Sequence, residues 1–280
     1  MTDCVSYNRL EKAGRLGNQL FQIAATVGAA ELLEARPVLP PNWSYRPYFN
    51  CPDEWFEPAD GDTLNIENWA GLGHIALPAR MYLQDYGLFR GVAGEVRYAF
   101  SPSLDAAGIM YGSSGYAAQA EPWLTDIDHG AIAIHVRRGD LLTQPQGFQP
   151  VLSGAYYHNA LRTFDDWENR PVWCFSDDPV WCAEALPEFL GRPVKVMNTT
   201  PPRPVGGNYH RAPPMDWVDL QFLCLADHHI MSNSTYAWWA VFLANNPEPR
   251  YPSVWFGPNL SHVDISLMVP AEPTWIEVPC

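Results

Sequence analysis

The residue types best suited to chemistry are gathered in one decapeptide, Ala131-Ile-Ala-Ile-His-Val-Arg-Arg-Gly-Asp140. Arg137 and Arg138 set two permanent positive charges side by side. Planar guanidinium groups suit bidentate capture of phosphate oxygens. Gly139 lets the backbone turn sharply or approach a ligand closely. Asp140 is the carboxylate nearest in sequence and the first candidate for a base. His135 reads either as a satisfied core histidine or as a hydrogen-bonding group for a ligand. Three more polar groups are candidates. They are the pair Asp177-Asp178, the triplet Asn233-Ser234-Thr235, and Asn18-Gln19 just after Gly14 and Gly17. Each also reads as ordinary helix capping. Of the two aspartates, one is expected to cap and the other to stay available.

The elements around these residues are what would bring them together. Ile132–Val136 is apolar and β-branched, the pattern of a buried strand, so the arginines fall at its carboxyl end. In open α/β sheets that end is where ligands bind. Val172–Ser176 is a second such strand, emptying into the aspartates. His229–Ser232 is a third, running into Asn233, and an apolar helix follows to about Ala244. A helix start there presents free N–H groups to a phosphate. Further strands are expected at Cys4–Tyr7, Arg80–Tyr86, Val194–Asn198 and Val254–Phe256. Helices are expected over about Asn18–Ala35, from a Ser153 cap to Phe164, from Pro179 to Ala185, and over Asp216–Ala226. Leu39–Asp62 reads as an ordered loop packed on aromatics, and Phe100–Asp128 as an irregular junction. Thr143–Leu152 reads as a mobile loop, and Thr199–Pro214 as a loop either disordered or functional. Repeated βα units imply a parallel sheet covered by helices on both faces.

Composition narrows the function. A net charge of −14 argues against a nucleic-acid footprint, while leaving room for a small anionic ligand if positive charge is concentrated locally. A hydrophobic content of 47% over 280 residues allows a sizeable core in one large or two ordinary domains. No apolar run reaches the length of a membrane span, and no signal peptide is legible. The six cysteines are scattered, so free thiols and a cytoplasmic setting are expected. Asp60-Gly-Asp62 and Asp126-Ile-Asp128 are the triplet type that holds a divalent metal in many nucleotide-sugar transferases. Asp126 and Asp128 precede a strand, the wrong end for a ligand, and both triplets read as solvated charges. His228-His229 lacks a third ligand nearby and reads as structural.

Four stretches, taken in order, resemble the α-1,2-fucosyltransferases of glycosyltransferase family 11. They are Gly14-Arg-Leu-Gly-Asn-Gln-Leu-Phe-Gln22, His135-Val-Arg-Arg-Gly-Asp140, Phe175-Ser-Asp-Asp-Pro-Val-Trp181 and His228-His-Ile-Met-Ser-Asn-Ser-Thr-Tyr-Ala-Trp-Trp239. The resemblance implies an α/β, GT-B-like fold of two Rossmann-type halves with a cleft between them. The expected division is an acceptor-side domain, 1–128, and a GDP-sugar-binding domain, 129–280. It implies inverting, metal-independent transfer of L-fucose from GDP-β-L-fucose to the 2-hydroxyl of a terminal galactoside. Arg137 would stabilise the departing β-phosphate, with Arg138 beside it. Asn18 and Gln19 would line the donor–acceptor cleft. His135 and Asp178, with Asp177 alongside, would meet the guanine or ribose. Asn233, Ser234 and Thr235 would hold the diphosphate. Arg15 and Leu141 stand where the family often has glycine and tyrosine. The expected partners are GDP-fucose and a galactoside glycan, with no nucleic acid and at most a peripheral membrane association. Two other readings stay open: a transferase using another nucleotide sugar, and a non-catalytic carbohydrate-binding module.

Overall fold

The structure is a computed structural model that describes residues 2–75, 80–112, 114–145, 147–197, 216–244 and 247–280. The chain divides into two compact units, 1–106 with 262–271 and 107–261 with 272–280. In the first unit, β1 (Cys4–Ser6) lies between β2 (Arg36–Val38) and β3 (Thr63–Asn65), and both pairs are parallel. α1 (Leu16–Leu32) follows β1 and buries nearly all of its first fifteen residues, because Leu20, Ile23, Ala24 and Val27 recur at helical spacing. Gly28 lets α1 sit against the backbone near Leu88, where a Cβ would fall 2.0 Å from the Leu88 carbonyl oxygen. The expected aromatic loop is there: Trp43 stacks on Phe49 and Phe56 at 5.7 and 6.3 Å between ring centroids. α2 (Ala93–Ala99) follows. The strand expected at 80–86 does not form. Leu83 takes a positive φ of 52°, and Asp85 caps a short 3-10 turn, Tyr86–Leu88, so the extended run is broken at its centre.

The stretch expected to be an irregular junction is helical instead: α3 (Leu104–Gly112) and α4 (Ser114–Ile127). The division between the units falls inside α3 rather than at residue 128. Trp123 explains why α4 belongs to the second unit. Its ring packs edge-on against Trp173 and Phe175, and its indole N–H donates to the Phe222 carbonyl at 3.0 Å.

The second unit is built on β4 (Ile132–Val136), β5 (Val172–Ser176), β6 (Lys195–Val196), β7 (His228–Ile230), β8 (Glu248–Pro252) and β9 (Ile276–Val278). Their order is β6-β5-β4-β7-β8-β9, every pair is parallel, and β4 is central and wholly buried. The last strands are β8 and β9; the segment 254–256 expected to be extended pairs with nothing regular. One face of the sheet packs Ile132, Ile134 and Val136 on Tyr156, Tyr157, Ala160 and Leu161 of α5 (Gly154–Leu161). Ser153 caps α5 as the sequence indicated, accepting from the Tyr156 N–H. α6 (Pro179–Glu184) and α7 (Leu186–Leu190) follow β5; α8 (Asp216–Leu223) precedes β7; α9 (Thr235–Leu243) follows it. Thr199–Pro214 lies outside the described residues. β4 is the switch point of this sheet, since the chain builds outward from it first toward β6 and then toward β9. The residues after β4, β5 and β7 therefore share one rim.

Candidate active site

Arg137 leaves the end of β4 and is ion-paired with two carboxylates, those of Asp140 and Asp177. Its side chain is 12% exposed. The second Asp177 oxygen accepts two successive backbone N–H groups, Arg138 at 2.9 Å and Gly139 at 3.1 Å. Gly139 is needed for this approach, because a Cβ there would lie 2.6 Å from the Asp177 carboxylate. Asp177 thus sits in an anion-binding nest made by the chain after β4. Arg138 turns the other way. Its Nε donates to Asp178 at 3.2 Å, and its guanidinium lies 3.9 Å over the Trp181 ring. Asp178 also caps α6, accepting from the Trp181 N–H at 3.3 Å. Pro179 at the first helical position fits that cap.

The rim therefore carries two guanidinium groups and three carboxylates, a net charge of −1. This corrects the expectation of locally concentrated positive charge. Half-buried arginines without counter-ions would pay a large desolvation cost, and the aspartates remove it. Neither aspartate of the pair stands idle: Asp178 caps and Asp177 fills the nest. Asp140 is held by Arg137 and by the Gln144 amide at 3.3 Å, so it is engaged with the arginine rather than poised alone as a base.

His135 is buried on the opposite face of β4 from Val136. Its Nδ1 lies 2.7 Å from the Ser232 hydroxyl and its ring lies 5.3 Å from Tyr236. Ser234 caps α9 through the Tyr236 N–H at 3.2 Å, with Thr235 next to it at the helix start. Asn233 is different. It is fully buried, and its amide donates to the Pro150 and Trp255 carbonyls at 2.9 and 3.2 Å. It anchors chain rather than presenting itself to a diphosphate, a correction to its expected role. Within the Thr143–Leu152 loop, residues 147–150 are tied to the rest of the unit by hydrogen bonds. Gln149 donates to the Asn233 carbonyl at 3.0 Å, while Gly257 and Asn259 N–H groups donate to the Phe148 and Gly147 carbonyls at 2.6 and 2.8 Å.

In the first unit, α1 starts at Leu16, and its N-cap is Arg15, without a side-chain cap, rather than Asn18. The Asn18 Oδ1 accepts from Gln84 at 2.8 Å. Gln19 is buried, donating to the Gly14 carbonyl at 3.2 Å and accepting from Trp43 at 2.8 Å. Leu141 is buried too. The two acidic triplets are taken up by ion pairs: Asp60 with Arg36 at 3.0 Å, Asp126 with Lys195 at 2.6 Å. His229 is structural as expected. Its Nε2 meets the Leu223 carbonyl at 2.9 Å, and burial pushes its pKa down to about 4. The partners that sequence reading missed are Ser232, Trp181, Gln84 and Tyr236. Ser232 and Tyr236 flank the Asn233-Ser234-Thr235 triplet, a signal that was available. Trp181 and Gln84 meet their partners only through the tertiary fold.

Residues 123–248 match the family model described as Glycosyl transferase family 11. Galactoside alpha-(1,2)-fucosyltransferase 1 of Alouatta caraya is 26% identical over 246 residues, covering 82% of this chain and 63% of that protein. An alpha-1,2-colitosyltransferase of Escherichia coli is 26% identical over 118 residues, 41% of this chain and 37% of that protein. The O-antigen biosynthesis glycosyltransferase WbnK of Escherichia coli is 30% identical over 137 residues, 45% of this chain and 39% of that protein. The chain thus spans under two thirds of the length of these relatives. A solved structure of an Arabidopsis thaliana FUT1 mutant in complex with GDP superposes with a TM-score of 0.54 at 15% identity, covering 90% of this chain and 70% of that one. That likeness establishes an α/β fold of the GT-B type. The matched segment, 123–248, contains the whole strand-end rim, so the rim is similar to that of glycosyl transferase family 11.

Proposed function

We propose that the protein transfers L-fucose from GDP-β-L-fucose to the 2-hydroxyl of a terminal galactoside, inverting the anomeric centre and using no metal ion. The observation that carries this reading is Arg137 at the switch point of a parallel sheet, ion-paired with Asp177 and Asp140 inside the segment that matches the family 11 model. Breaking the bond to fucose leaves negative charge on the β-phosphate and positive charge on the ring. A guanidinium held from one side by Asp177 is already aimed where that charge develops, which is where preorganised electrostatics are most effective. The diphosphate brings its own negative charge to a rim of net charge −1, so Asp140, 47% exposed, gives way and its place on Arg137 goes to a phosphate oxygen. Strong leaving-group stabilisation permits a loose, oxocarbenium-like transition state, in which the acceptor hydroxyl needs only modest activation. Ser234 and Thr235, at the start of α9, supply hydroxyl and N–H donors for the rest of the diphosphate. His135 and Asp178 face the nucleoside.

The relative named for colitosyl transfer keeps a second donor in play, another nucleotide sugar at the same rim. Incubating the protein with GDP-fucose and lactose, N-acetyllactosamine or galactosyl-N-acetylgalactosamine, then weighing the products, tests the proposal. A product heavier by one deoxyhexose is expected. Unchanged acceptors together with turnover of a different nucleotide sugar would favour the second reading. Full activity in excess chelator is expected, and its abolition would contradict the metal-free mechanism.

A further inference from the structure

On the side that Arg138 faces, the strand-end rim continues into an open cleft of about 640 Å³. Arg138, Leu152, Ser153, His158, Trp181 and Phe189 line it, all within the second unit. The volume falls in the range of roughly 300–1,000 Å³ usual for small-molecule sites. Two aromatic rings contribute to the wall, Trp181 and Phe189, with centroids 6.1 Å apart and planes tilted by 31°. Phe189 packs directly on the first residue of α5, where a Cβ on Gly154 would lie 2.2 Å from its ring. It is nonetheless 51% exposed. Trp181 is held by the Arg138 guanidinium, 3.9 Å from the ring centroid. A half-exposed phenylalanine seated in a concavity adds little to the fold, and apolar surface gathered in a cleft marks a place where a ligand binds. Arg138 is the one permanent charge in the wall, and Asp178 offsets it at 3.2 Å. A ligand here gains little from being charged, unlike a phosphate at Arg137. The Ser153 hydroxyl accepts from the Tyr156 N–H, so its own O–H is left to donate. The His158 imidazole and the Arg138 N–H groups add polar atoms to the wall. A neutral molecule with one flat apolar face and a polar edge matches this set. A pyranose ring is such a molecule: its C–H face is drawn to the negative face of an aromatic ring, while its hydroxyls reach the polar atoms around it.

We propose that this cleft is a subsite for the sugar units of the acceptor glycan that lie behind the reacting galactose. The inference rests on the fucosyltransferase reading given above, although its binding test needs no turnover. Arg138 follows Arg137 directly, and the two side chains take different carboxylates, Asp178 and Asp177. The cleft therefore borders the rim without taking the place read for the β-phosphate. Trp181 and Phe189 supply the stacking surface, and Ser153 and His158 meet hydroxyls. Such a subsite raises affinity for longer acceptors and leaves the transfer step itself unchanged.

The test compares wild type with Phe189→Ala, which removes an exposed ring, and Ala155→Trp, which fills the cleft from an exposed position on α5. The acceptors are methyl β-galactoside and the tetrasaccharide lacto-N-neotetraose. Each variant should raise KM for the tetrasaccharide about tenfold, the scale of one aromatic contact. Values of kcat, KM for GDP-fucose and KM for methyl β-galactoside should stay within about twofold, since only binding of the longer acceptor is lost. Saturation-transfer NMR with GDP present should show wild type touching the sugars behind the terminal galactose, and both variants losing those contacts. Equal tetrasaccharide KM in wild type and both variants would overturn the proposal. So would an equal rise in KM for the two acceptors, which would mark the cleft as merely structural. Loss of the wild-type contacts on adding GDP would assign the cleft to the nucleoside and overturn it as well. Absence of fucose transfer by wild type, with the contacts present, would instead overturn the transferase reading and leave the cleft a saccharide site.

Discussion

Asp177 accepts two backbone N–H groups while pairing with Arg137, and this arrangement admits two opposite consequences. A carboxylate in an anion nest could compete with phosphate, or it could hold the nest and the guanidinium in the shape phosphate needs. The second is favoured, because Gly139 makes room for Asp177 and the aspartate ties the ends of β4 and β5 together. Asp177→Asn keeps the size but removes the charge, weakening charge-assisted bonds worth roughly 1.5–3 kcal/mol. Isothermal titration should show GDP affinity falling by about tenfold or more. A rise in affinity would mean that Asp177 obstructs the nucleotide. At Gly139 itself, alanine would push Asp177 out of the nest, so Gly139→Ala should reproduce the loss of GDP affinity in a protein that still folds.

Among the elements, the turn between β7 and α9 shows how a polar residue at a helix start can act as an anchor. Asn233 pins residues 150 and 255 from a fully buried position. Asn233→Ala leaves the buried Trp255 carbonyl and the partly buried Pro150 carbonyl without this donor, a cost of about 1–3 kcal/mol for the buried one before relaxation. Urea denaturation should register a loss in that range, while unchanged stability would show that water replaces the amide. This residue also marks the limit of what the sequence discloses. β4, β5, α5 and α9 were legible because each is a contiguous pattern with its own start signal, Ser153 and Ser234 included. The four polar groups were legible as strand-end residues. Their partners were not. Nothing local says that Asp177 reaches back to Gly139, that Trp181 lies under Arg138, or that Asn233 turns inward. The alternation at 80–86 misled because its period fits a strand while Leu83 and Asp85 dictate turns. β8 was obscured by prolines at 249 and 252, and β9 by its shortness.

For the molecule as a whole, acid stability follows in part from a buried histidine. His229 is buried neutral, with its pKa lowered from 6.5 to about 4. The unfolded chain binds a proton there that the folded chain does not, so stability rises with pH across that window. Below about pH 6.5 the folded state loses stability progressively, and by pH 4 the loss from this one group is at most on the order of 3 kcal/mol. Melting temperature should therefore fall between pH 7 and 4.5, less steeply in His229→Gln if that variant folds; an identical slope in the variant would remove His229 as the cause. For ligands, the proposed GDP-sugar reading predicts that GDP raises the melting temperature more than UDP or ADP at equal concentration, since a ligand bound only by the native state stabilises it in proportion to its affinity. Equal shifts would deny a guanine preference. The most direct test of the account is the rate of fucose transfer by Arg137→Ala, with folding checked independently. Losing the group proposed to meet the leaving phosphate should slow transfer about a hundredfold or more. Near-normal turnover by that variant would contradict the account at its centre.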